Sequence, residues 1–80
     1  MSDPAEGTLD WARRRIWAVP EFAKADVVAH NVWGFAPYWV ATAYRPDFEP
    51  LRSPHHRTRK DALRALVAAV EAGEKGGETR

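Results

Sequence analysis

Eighty residues with no cysteine and a formal net charge of +1 allow one small domain, and they exclude a disulfide scaffold, a thiolate metal site and a cysteine nucleophile. No apolar run approaches the roughly 20 residues of a membrane-spanning helix. The acidic start, with Asp3, Glu6 and Asp10, lacks the basic-then-apolar order of a signal peptide, so a cytoplasmic protein is expected.

Residues 1–7 contain Pro4 and Gly7 and little apolar surface, which suits a flexible lead-in to a single domain over residues 8–73. Thr8 or Asp10 suits the cap of a short helix from Leu9 to Ala18, with Leu9, Ala12 and Ile16 on one face. An extended arm ending at Pro20 is the alternative, because a residue before proline is biased away from helix. Pro20 to Asp26 then reads as a connector or a single helical turn.

Val27 to Trp33 and Tyr38 to Arg45 alternate with period two and are rich in aromatic and β-branched residues, the pattern of two strands. Gly34-Phe35-Ala36-Pro37 forms the turn between them. Val27, Ala29, Asn31 and Trp33 fall on one side of the first strand, and Val28, His30 and Val32 on the other. In the second strand Trp39, Ala41, Ala43 and Arg45 oppose Tyr38, Val40, Thr42 and Tyr44. Small alanines let a helix approach closely, which favours the alanine face as the core, with Trp33 and Trp39 filling its end; the alternative is the opposite face, with Tyr38, Val40, Thr42 and Tyr44. Two strands alone are marginal in water and need a partner element.

Phe48 to Arg52 suits a short edge strand, where proline is tolerated. Thr58 caps the most clearly signalled element, a helix to Ala72 with Leu63, Leu66, Val67 and Val70 at i, i+3, i+4, i+7 spacing and Gly73 as its stop. Residues 74–80 read as a flexible polar tail. The fold expected is α+β: a small antiparallel hairpin or three-stranded sheet packed against one C-terminal amphipathic helix, preceded by an N-terminal arm or short helix.

The near-neutral total conceals a basic stretch. Arg52, Arg57, Arg59, Lys60 and Arg64 surround Asp61, and three of them crowd the start of the last helix, where the dipole is already positive. A phosphate there turns an unfavourable charge into a nucleic-acid or anion-binding site; the plainer reading is a solvated basic surface. Trp33, Phe35, Tyr38 and Tyr44 make a candidate aromatic contact surface, for stacking bases or for a protein hot spot, against the plainer reading that a small domain needs them inside. Arg13-Arg14-Arg15 spreads around a helix and forms no single fork.

His30, His55 and His56 lack metal-ligand spacing, so no metal is expected. Thr8, Thr42 and Ser53 have no recognisable nucleophile context, and no glycine-rich phosphate loop is present, so neither enzymatic activity nor a cofactor is expected.

The order strand, strand, polar stretch, Thr-led helix over residues 27–72, with T-x-x-x-A-L from Thr58 to Leu63, resembles two kinds of small module. One is the plant APETALA-type DNA-binding domain, a three-stranded sheet with one helix. The other is the antitoxin half of HicAB-like systems. The expectation is therefore a non-enzymatic binding module, an accessory or regulatory protein contacting nucleic acid or a nucleoprotein machine. The alternative is a protein–protein interaction module such as a phage- or mobile-element-encoded regulator or inhibitor, and an exposed strand would also permit a homodimer.

Overall fold

The apolar stripe Leu63, Leu66, Val67, Val70 is the buried side of a helix, α2 (Arg59–Glu71). Thr58 caps it: the Thr58 hydroxyl accepts a hydrogen bond from the Asp61 N–H at 3.1 Å, satisfying one of the donors that a helix start leaves open. Gly73, at φ +81°, follows its end in the left-handed conformation that glycine adopts without a Cβ penalty. These elements belong to a computed structural model that describes residues 4–34 and 38–73. The expected turn over 34–37 and the tail over 74–80 therefore lie largely outside the described residues.

Near the start of the chain the helical alternative wins. Thr8 caps α1 (Leu9–Trp17), its hydroxyl accepting from the Trp11 N–H at 3.2 Å, and Ala12 and Ile16 are buried. The helix stops before Pro20, which opens a single 3-10 turn, Pro20–Phe22, at a position where its missing N–H costs nothing. Phe22 enters the core. The Trp17 indole N–H donates to the Ala25 carbonyl at 2.6 Å, tying the end of α1 to the start of the sheet.

The sheet is antiparallel with strands in the order β1 (Asp26–Val32), β2 (Tyr38–Tyr44), β3 (Leu51–Arg52). Its register places Val27 opposite Ala43, Ala29 opposite Ala41 and Ala43 opposite Leu51. These residues share one face, and they join Ala12, Ile16, Phe22, Leu63, Leu66, Val67 and Val70 in a single hydrophobic cluster. Both helices thus lie on the alanine face, in two layers, and Ala41 and Ala43 leave room for α2 above β2. Arg15 links the helices at their far ends, its Nε and Nη2 donating to the two Glu71 carboxylate oxygens at 2.7 and 2.8 Å. At the near end Arg64 pairs with Glu6 at 3.1 Å, and the Lys60 stem covers Gly7, a buried residue at φ +89°.

Two details differ from the sequence reading. Trp39 packs against the core, but Trp33 is 75% exposed. The last β1–β2 pair is Val32 with Tyr38, so Trp33 falls past the end of the layer it was expected to fill. The third strand is shorter than Phe48–Arg52, because the Phe48 N–H donates to the Arg45 carbonyl in a turn and Pro50 supplies no N–H to a ladder. Phe48 is instead 66% exposed and flanks Arg45, whose guanidinium lies 4.7 Å from the Phe48 ring and 4.5 Å from the Phe22 ring.

The β3 side of β2 contains a one-residue slip. Thr42 pairs with Arg52, while Trp39 exchanges both backbone bonds with His56. The extra residue falls around Pro54, which has no N–H. Ser53 bridges the gap: its N–H donates to the Ala41 carbonyl at 2.8 Å, and its hydroxyl accepts the Ala41 N–H at 2.9 Å. The hydroxyl then donates to the Pro54 carbonyl at 2.9 Å. A side chain therefore takes the place of a ladder carbonyl, and the segment from Leu51 to His56 stays against β2.

Candidate nucleic-acid interface

Alternation assigns Asp26, Val28, His30 and Val32 of β1, Tyr38, Val40, Thr42 and Tyr44 of β2, and Arg52 of β3 to the sheet face turned away from the helices. Among the described residues no helix covers this face. The N-terminal segment, which would have hidden it from the other side, packs beside α2 instead. Val28, Val32, Val40 and Tyr38 are half-buried and Tyr44 is exposed. Thr42 at the centre is fully buried between Val28 and Arg52, and among the described residues its hydroxyl has no hydrogen-bond partner.

The slip in the β3 segment shapes the face. It turns His55 over the Tyr38 ring, with centroids 4.0 Å apart and planes 27° from parallel. A stacked pair, a second tyrosine and one arginine thus share a solvent-facing sheet. Flat rings on such a surface stack with other flat groups, and Arg52 adds a cation that pairs with phosphate or carboxylate.

The five basic residues singled out in the sequence do not form one cluster. Arg52 lies on the helix-free face, across from Thr42. Arg57 follows His56 where the chain leaves the sheet edge, and Arg59 opens α2; both are exposed. Lys60 turns towards Gly7, and Arg64 is neutralised by Glu6. The ion pairs among the described residues are Arg14–Asp10, Arg15–Glu71 and Arg64–Glu6; Arg52 on the sheet, Arg57 just past His56 and Arg59 at the start of α2 are in none of them. Of the aromatic candidates, Tyr38 and Tyr44 share the helix-free face, Trp33 lies beyond the end of β1, and Phe35 lies outside the described residues.

Two features escaped the sequence reading. The His55–Tyr38 stack depends on the slip at Pro54, and local pattern does not encode it. The second is a cleft of about 460 Å³ lined by Pro20, Glu21, Arg45 and Phe48. A signal existed for it: Arg45 falls on the core side of its strand, where a cation needs flat apolar neighbours, and Phe48 follows shortly after a proline.

Among the described residues no group of three or more metal-ligating side chains converges. Both the donor and the acceptor roles of the Ser53 hydroxyl are taken by backbone bonds. No helix of the described residues is long and apolar enough to cross a membrane. These features define a small two-layer α+β domain with one face of its sheet free of helices. No protein family model matches the chain, and no curated protein or solved structure matches it.

Proposed function

We propose that this protein is a non-enzymatic binding module, an accessory factor that takes single-stranded nucleic acid across the helix-free face of its sheet. The observation that carries the reading is the Tyr38–His55 stack on that face, with Arg52 and Tyr44 beside it. Bases stack on such rings at about 1–3 kcal/mol each without regard to sequence. Phosphates meet Arg52 on the sheet and then Arg57 and Arg59 where the chain passes from the sheet into α2. Lys60 and Arg64 contribute less, because one lies along the N-terminal turn and the other is paired. The net charge of +1 limits affinity, so binding is tightest at low salt.

The test is a salt titration with a fluorescent single-stranded oligonucleotide and its duplex. The single strand is expected to bind more tightly. Replacing Arg52, Arg57 and Arg59 together with Ala should flatten the slope of log affinity against log salt by about 2. Tyr38→Ala should cost about tenfold or more in affinity at constant slope. Absence of binding at low salt, or a Tyr38 variant indistinguishable from the parent, sinks the reading.

A second reading has its own observation. The exposures of Trp33, Phe48 and Trp17 suit a protein partner, since aromatic anchors dominate such interfaces. If Trp33→Ala and Phe48→Ala abolish capture of a protein while the arginine variants leave it intact, the module is a regulator or inhibitor that works through protein contact.

A further inference from the structure

The outer edge of β1 ends the sheet, and it is closed along only half its length. Trp39 and Ala41 direct their backbone groups towards the β3 segment, so the residues between them bond β1. By register, Asp26, Val28, His30 and Val32 bond inward to β2, while Val27, Ala29 and Asn31 point their N–H and C=O groups outward. At the start of the strand this edge is sealed. The Ala25 N–H donates to the Phe22 carbonyl, the Ala25 carbonyl accepts from Trp17, and Val27 is fully buried. Further along it is open: Asn31 is exposed, Ala29 is half-buried, and among the described residues their backbone groups have no partner. This open part carries none of the usual protections against pairing, having no proline, no lysine and no bulge. Trp33, the next residue, is also exposed.

We infer that this half-edge is a dimerisation site for a second copy of the chain, joined antiparallel about a two-fold axis at Asn31. The register follows from the groups available. An axis at Ala29 would need the sealed Val27. An axis at His30 would leave Trp33 facing the partner's Val27, which is sealed, and would bring His30 against the partner's His30. An axis at Asn31 pairs Asn31 with the partner's Asn31 and Ala29 with the partner's Trp33. Every outward N–H and C=O from Ala29 to Trp33 then finds a complement. The side chains agree: alternation keeps Trp33 on the same side as Ala29, so each indole lies across the small residue of the other copy and loses its exposure. His30 meets the partner's Val32. The site lies on the opposite edge of the sheet from the β3 segment, so it stands or falls separately from nucleic-acid binding.

The absence of cysteine makes single-cysteine variants clean reporters of register. In Asn31→Cys the two introduced residues face each other across the axis, with Cα atoms about 5.5 Å apart, within the reach of a disulfide. In Ala29→Cys they lie four residues out of step, more than about 13 Å apart. Under mild oxidation Asn31→Cys should give a covalent dimer in high yield and Ala29→Cys almost none. Sedimentation of the parent should show a concentration-dependent dimer. Asn31→Pro, which removes an outward N–H and the Asn31 side-chain bond to the Tyr38 carbonyl but none of the backbone bonds between β1 and β2, should raise its dissociation constant by about tenfold or more with unchanged circular dichroism. A parent that is monomeric at every concentration overturns the inference. So does equal cross-linking of both cysteine variants, or preferential cross-linking at position 29.

Discussion

Ser53 and Thr42 are both buried hydroxyl-bearing residues, and the structure uses them in opposite ways. The Ser53 hydroxyl accepts the Ala41 N–H and donates to the Pro54 carbonyl, while the Thr42 hydroxyl has no partner among the described residues. Removing the first strands a buried backbone donor; removing the second relieves an unpaired one. Ser53→Ala is therefore expected to lower unfolding free energy by about 1–3 kcal/mol. Thr42→Val, which keeps the branched shape favoured in strands, is expected to raise it by about 1 kcal/mol. Urea unfolding of the two variants beside the parent measures both signs. Neither role was legible in the sequence, where Ser53 and Thr42 stood together as hydroxyls without context. What separates them is the slip at Pro54, a property of two chain segments in register.

At the level of elements, legibility followed locality. The signals for α2 all lie within the helix itself: the cap at Thr58, the stripe from Leu63 to Val70 and the stop at Gly73. Thr58→Ala should therefore cost about 1 kcal/mol, seen as a lower denaturant midpoint with an unchanged slope. The strands were legible from alternation, and the alanine face proved to be the core. The ends were less so, because alternation tells which side a residue takes but not where its covering helix stops. Trp33 shows the difference, being correct in phase but one residue past the last pair. The N-terminal segment balanced between helix and arm until the Thr8 cap and the packing of Ala12 and Ile16 decided it. The candidate interface was half-legible: Tyr38 and Tyr44 were assigned to one face by phase alone. The scattering of the five basic residues required knowledge of Glu6, Gly7 and the path of the β3 segment.

For the molecule as a whole, two layers mean one core. The Cα radius of gyration is 12.3 Å, and the sheet contributes only its helix-bearing side to the hydrophobic cluster. A domain of this size is stable by only about 4–12 kcal/mol. Leu66 is fully buried at the centre of α2, so Leu66→Ala is expected to remove about 2–5 kcal/mol. A thermal melt should show a large fall in midpoint, with loss of helix and sheet signals together, because no second core remains to hold either layer.

The pairing of Arg15 with Glu71, together with that of Glu6 with Arg64, has a consequence during synthesis. Both bonds join the first part of the chain to the last helix. While the ribosome is still making the middle of the protein, α1 and the hairpin have no α2 to close over them, and the alanine face stands open. Folding to completion waits until α2 has emerged, so the nascent chain passes through an interval in which its future core is bare to solvent or to a chaperone. The fold is fastened last at the place where it begins.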